Sequence, residues 1–450
     1  MKKLLLALPL MAGASWAGTT MYSGSQSEDA YQQLIAQLDN MTVLSVKPES
    51  WQPGFLGSTA ITRIMSSDSD DAKELFRLQH EISHSPVGYG DEGTRVGGSY
   101  IVTTLVLDGL SDEAKKVANI FEGDVPIQLT TNITFGGNSS NRVNIASASF
   151  NDDDVSFSMQ PSVTLFSYDP DGALIGNGTM GAIDIAFGDD VQVELSESTS
   201  GFNLNAIKDG VFTGSQTFSS DTLRVGNPAS GMEIELSKLT LDSLTTVKDR
   251  QLSSSSDLSV GGIESPLPIN TAEFGVSING INLDGFSDYM AIMSDMAYGS
   301  DLDTMDPAEL LASLGDAYKG LIAPGASLEE RIGFTNDGGK VSAKASISFD
   351  GDGTLSGYDS LQTVGDLLRE MSANVMLDAD AAAVDMTPAA MFMGSPQLDM
   401  WIVNDGMSYK SDVAVKDLTV NINGNALSLE MMLGEMLDMP LDLSMLTMGR

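Results

Sequence analysis

The stretch Phe76-Arg77-Leu78-Gln79-His80-Glu81-Ile82-Ser83-His84 contains both histidines of this 450-residue chain and admits two readings. As a helix it is the H-E-x-x-H zinc motif, because positions i and i+4 share a helical face and two imidazoles can then hold one metal while the glutamate activates its water. As a strand it is period-2 alternation: Phe76, Leu78, His80, Ile82 and His84 fall on one parity, and Arg77, Gln79, Glu81 and Ser83 on the other. The alternation is unbroken and Pro86 stops the segment, so the expected element is a strand. On a strand His80 and His84 stand about 13 Å apart and Glu81 points to the opposite face. No third histidine is present to complete a zinc site. No catalytic, cofactor or metal residue is therefore assigned. A zinc hydrolase built on His80, Glu81 and His84 remains only as the weaker alternative.

The same period recurs along the chain. It appears at Ile127, Leu129, Ile133 and Phe135, at Val155, Phe157 and Met159, and at Ile183, Ile185 and Phe187. Further runs are Val191, Val193 and Leu195; Met232, Ile234 and Leu236; Phe274, Val276 and Ile278; Val341 to Phe349; and Leu418, Val420 and Ile422. Turn residues separate them: Gly136-Gly137-Asn138, Asp169 to Gly172, Asn336 to Gly339, and Asp350 to Gly353. The acidic turns contain fragments of calcium loops, and Gly333 to Lys340 approaches a P-loop, but neither has the ligand series its chemistry needs. Hairpins are the simpler account of both. Helices are expected over 28–38, 286–297 and 361–371, and in the segment opened by Asp306-Pro307-Ala308-Glu309. The expected fold is mainly β, a β-rich α+β protein: a long, curved antiparallel sheet partly covered by a few helices. The expected parts are 1–27, a signal or anchor; 28–283, a β-rich region opening with a short helix; and 284–450, a helix-containing α+β region closing with a hairpin.

Charge and composition narrow the function. Against 62 Asp and Glu stand only 23 Lys and Arg, a net charge of -39. Such a surface repels nucleic acid and anionic headgroups. With no cysteine there is no disulfide, thiol catalysis or thiolate zinc site. Lys2 and Lys3 before the apolar stretch Leu4 to Ala17 have the layout of an export signal. Cleavage near Ser15-Trp16-Ala17 and retention as a single span both fit it. Of the 25 methionines, eleven cluster at 290–305, 386–393 and 431–439. Core filling is the first reading of these clusters, and a surface for lipid tails the second.

Four patches stand out: Trp16, Tyr22-Ser23-Gly24 and Tyr31; Trp51 to Ile61, including Phe55; Leu78 to Pro86, with His80, Ile82, His84 and Pro86; and Tyr409 with Val420 to Gly424, including Asn423 and Gly424. Together they resemble the YdgA-like proteins, a domain-of-unknown-function family of the Gram-negative cell envelope. The resemblance implies a periplasmic domain tethered to the inner membrane through its N-terminus, and implies no activity. The leading expectation is a non-enzymatic envelope protein without a cofactor. It binds a lipid, an acyl chain or a hydrophobic segment of another envelope protein on the apolar face of its sheet. A structural or assembly factor that pairs with another envelope protein is the alternative.

Overall fold

A computed structural model describes residues 45–439, apart from 66–73, 107–118, 290–320, 351–362 and several stretches of one to three residues. The expected signal or anchor (1–27), the helix at 28–38 and the segment opened by Asp306 lie outside the described residues, as do Phe55 and Pro86. The fold is mainly β, every described strand register is antiparallel, and the chain forms two compact units that divide at Lys208. No helix among the described residues is long and apolar enough to cross a membrane.

The first unit carries β1 (Ser45–Pro53), β2 (Gly57–Met65), β3 (Glu74–Ser83), β4 (Val87–Gly90), β5 (Gly93–Val96), β6 (Ser99–Val106), β7 (Ile127–Ile133) and β8 (Ser139–Ile145). It continues with β9 (Ala148–Asn151), β10 (Val155–Met159), β11 (Ser162–Tyr168), β12 (Ala173–Met180), β13 (Ile183–Phe187), β14 (Val191–Leu195) and β15 (Ser198–Lys208). One ladder runs β1-β2-β3-β6-β7-β8-β11-β12-β15. A second runs β9-β10-β13-β14, while β4 and β5 form a separate hairpin.

The two ladders are halves of the same long hairpins. β8 and β9, β10 and β11, β12 and β13, and β14 and β15 are successive pieces of four strands, each interrupted by two residues at 146–147, 160–161, 181–182 and 196–197. These breaks align across the sheet. At one of them the Gln160 amide donates to the Ala182 carbonyl at 2.9 Å, and the Gly181 amide donates to Ser162 Oγ at 2.9 Å. A Cβ on Gly181 would lie 2.4 Å from the Gln160 carbonyl oxygen, so only glycine lets the backbones cross there.

The second unit carries β16 (Val211–Asn227), β17 (Met232–Lys248), β18 (Gln251–Glu264), β19 (Thr271–Asn282), β20 (Ser327–Asn336) and β21 (Gly339–Phe349). Then come α1 (Val364–Glu370), β22 (Met371–Asp380), α2 (Ala381–Asp385), α3 (Ala390–Met393), β23 (Val403–Asn404), β24 (Ser408–Lys416), β25 (Thr419–Ile422), β26 (Asn425–Ser428) and α4 (Leu429–Leu433). Its ladder runs β17-β18-β19-β20-β21-β22-β24-β25-β26. Residues 283–289 are helical, which accounts for the described start of the helix expected from 286. The helix expected over 361–371 is α1, set by a capping box in which Thr363 accepts from the Asp366 amide and Asp366 accepts from the Thr363 amide.

Candidate functional site

In β3 the alternation of the sequence becomes alternation of burial. Phe76, Leu78, His80 and Ile82 are buried, while Arg77 and Gln79 are half-buried and Glu81 is exposed. The segment is extended, so the helix that a zinc motif needs is absent from it. Each histidine also has its own strand neighbour: His80 Nε2 lies 3.0 Å from Thr62 Oγ1 and its Nδ1 2.9 Å from Thr103 Oγ1. His84 Nε2 lies 3.0 Å from Ser58 Oγ. Glu81 projects from the other face, where it accepts from Gln79 Nε2. Burial pushes the His80 pKa down to about 4 and lowers that of His84. His80 is therefore a neutral ring bridging two buried hydroxyls. Among the described residues no three His, Asp or Glu side chains stand close enough to hold a metal.

The other motif residues do not converge on one site. Trp51 sits on β1 opposite Ala60, in the first unit with His80, Ile82 and His84. Tyr409 is buried on β24 of the second unit, packed with Ala379 and Val384. Asn423 and Gly424 form the two-residue turn between β25 and β26 with φ of 50° and 88°. Asn423 Nδ2 donates to the Met400 and Trp401 carbonyls, and its Oδ1 accepts from the Asp412 amide. Asn423 is thus a structural clamp. Gly333 to Lys340, the near P-loop, is the β20–β21 hairpin, with the Asp337-Gly338 turn tied by Asn336 Oδ1 accepting from the Gly338 amide.

What the second unit does assemble is a sheet with two chemically opposite faces. On one, the registers place Leu241, Leu258, Phe274, Ile332, Ala343 and Leu377 side by side across six strands. A parallel row contains Ile278, Leu328, Ile347, Ala373, Val415 and Val420. The far row of the same face is closed: Leu239, Val260, Ala379 and Tyr409 are buried, and Val384, Met393 and Ile402 pack over Ala379 and Tyr409. The middle is open. Phe274 is 45% exposed and Ile332 57%, and Leu258, Ile278, Leu328, Ile347 and Val375 are exposed with them. At about 4.8 Å between strands, the row from Leu241 to Leu377 is about 24 Å long.

The opposite face is ionic. Arg331 pairs with Asp257 at 2.6 Å, Lys344 with Glu329 at 2.8 Å, and Lys340 with Glu273 at 2.9 Å. The Arg331–Asp257 pair spans Gly275, which stands between them in register, and a Cβ there would come within 2.6 Å of Asp257 Oδ1. A shallow depression of about 390 Å³ lies among these side chains. The first unit repeats the apolar pattern on a smaller scale, with Phe150, Phe157, Ile185 and Val193 aligned across β9, β10, β13 and β14.

The methionines correct one expectation. Met391, Met431 and Met432 are 83%, 87% and 64% exposed, and Met386, Met436 and Met439 are exposed as well, so of the described clusters only Met393 packs against the core. The exposed ones lie in short helices and turns, with no described layer packed over them. The cluster at 290–305 lies outside the described residues.

Antiparallel registers, two compact units and an open apolar sheet face define a mainly β protein with a surface suited to apolar contact. Its sequence matches the family model described as "Bacterial protein of unknown function (DUF945)" over residues 1–430, and the chain belongs to that family. No curated protein and no solved structure matches it.

Proposed function

We propose that this chain is a non-enzymatic protein of the bacterial envelope that binds an acyl chain on the open apolar face of its second unit. The observation that carries the reading is the row Leu241, Leu258, Phe274, Ile332, Ala343 and Leu377, apolar in every strand and exposed at its centre. Soluble proteins rarely leave so large a continuous apolar patch to water unless something occupies it. The row is also longer than one leaflet's acyl chains, about 15 Å. The layout of the N-terminus and the resemblance to YdgA-like proteins support a periplasmic location with an inner-membrane tether.

Two features weigh against the rival readings. A partner strand would need a receptive edge, but among the described residues β1 pairs only with β2 and carries Pro48, Pro53 and a register shift, while β26 spans only Asn425–Ser428. A zinc hydrolase would need His80 and His84 on one helical face, and the segment is a strand.

The test is native mass spectrometry of the full chain purified from its own bacterium without detergent or chelator. The expected result is a bound lipid mass that disappears in Ile332→Asp. A stoichiometric zinc adduct lost in His80→Ala would overturn the non-enzymatic reading. A bare chain that copurifies with a second envelope protein would favour the assembly role.

A further inference from the structure

The open middle of the apolar face contains one carboxylate. Among the described residues of β17 to β26, the positions that share the face of Leu241 and Phe274 on the open side of the buried row Leu239, Val260, Ala379 and Tyr409 are apolar or neutral, except Glu330. Glu233, Glu235 and Glu264 share the face by parity but stand beyond that row, where Arg224 pairs with Glu233 and Glu235. Glu330 is exposed, opposite Val276 on β19 and Ala345 on β21, with Leu328 and Ile332 two residues away along its own strand. Its sequence neighbour Glu329 faces the other way and is neutralised by Lys344. No described residue pairs with Glu330. The hydroxyls of Ser243 and Ser256 in the same row bond each other at 2.8 Å and are neutral.

A molecule lying over this face must therefore deal with one negative charge. Covering an ionised carboxylate with hydrocarbon is strongly unfavourable unless a donor or a positive charge accompanies the hydrocarbon. A fatty acid would bring a second negative charge to the same place. An amphiphile with a protonated amine satisfies both requirements at once, with its chain over Phe274 and Ile332 and its ammonium donating to the Glu330 carboxylate. The acidity of the whole chain works in the same direction, because a net charge of -39 attracts cations and repels anions.

We propose that Glu330 is the headgroup-selecting residue of this face and that the ligand class is an amine-bearing amphiphile. The assignment rests on the acyl-binding reading above and narrows it. The discriminating experiment is calorimetric titration of the full chain with three probes of one chain length: dodecylammonium, dodecanol and dodecanoate, each below its micelle concentration. The titrations are run at about 0.5 M NaCl, where the diffuse field of distant charges is screened within a few ångströms. The wild-type chain should bind dodecylammonium about tenfold more tightly than dodecanol, and dodecanoate most weakly.

Glu330→Gln should bring dodecylammonium down to the affinity of dodecanol while leaving dodecanol unchanged, and Glu330→Lys should turn the preference toward dodecanoate. Unfolding midpoints equal to wild type identify both variants as folded. An ammonium preference that survives in Glu330→Gln would overturn the assignment and credit the diffuse acidic field. Equal binding of all three probes, abolished by Ile332→Asp, would overturn the ligand class and leave the acyl-binding reading standing. Binding of none of them would overturn both.

Discussion

His80 is the residue whose chemistry and environment are most tightly coupled. Its ring is buried between Thr62 and Thr103, and burial pushes its pKa from 6.5 to about 4. The unfolded chain therefore binds a proton between these values that the folded chain does not, and stability falls as pH drops through that window. The contribution is complete above about pH 6.5 and is lost progressively toward pH 4. A shift of this size corresponds to on the order of 3 kcal/mol. Denaturant unfolding at pH 7.5 and pH 4.5 should show a steeper loss for the wild type than for His80→Gln, the difference approaching that figure. Carboxylate titrations affect both proteins alike and cancel. Partly buried His84 adds a smaller slope of the same sign, which remains in the variant. Identical pH slopes in the two proteins would mean that His80 is not sealed from water.

At the scale of elements, the open sheet face of the second unit and the buried core of the first make contrasting predictions. Ile332 and Phe274 are exposed, so Ile332→Ser or Phe274→Ser should change stability by under about 1 kcal/mol, because little apolar area returns to water on unfolding. Leu129, 1% exposed in the first unit and packed with Ile127 and Val143, should cost about 2 to 5 kcal/mol on truncation to alanine. Chemical denaturation of the three variants checks the contrast. A cost above 2 kcal/mol for Ile332→Ser would mean that the strip is covered by the chain itself and is not a binding face.

Much of this element-level picture was legible in the sequence. The alternation at 76–84 gives β3, and those at 274–278 and 341–349 give the cores of β19 and β21, because a half-buried strand writes its faces into its parity. The aligned breaks at 146–147, 160–161, 181–182 and 196–197 were not legible, since they depend on which strands lie side by side. Glu330 was hidden for a related reason. In the run Glu329-Glu330-Arg331 three charges mask the parity, and only the register with Val276 and Ala345 assigns the middle one to the apolar face. The methionine clusters were ambiguous because methionine suits a loose core and an exposed apolar margin equally well.

For the molecule as a whole, the controlling quantity is the net charge of -39. Cations that could relieve it are few, and the described ion pairs of the second unit, such as Arg331–Asp257 and Lys340–Glu273, are largely exposed and weak individually. Folding thus gathers a large excess of carboxylates at shorter mutual distances than in the unfolded chain, and their repulsion is partly screened by salt. The thermal midpoint at pH 7 should accordingly rise by several degrees between about 10 mM and 0.5 M NaCl, followed by circular dichroism. Hydrophobic burial is strengthened far more by sulfate than by chloride at equal ionic strength, so the two salts separate the causes. Equal gains in sodium chloride and in sodium sulfate matched for ionic strength identify charge screening. A gain confined to sulfate would instead place the weak point of the fold in its apolar contacts, as expected if the open strip of the second unit, rather than the charge, limits its stability.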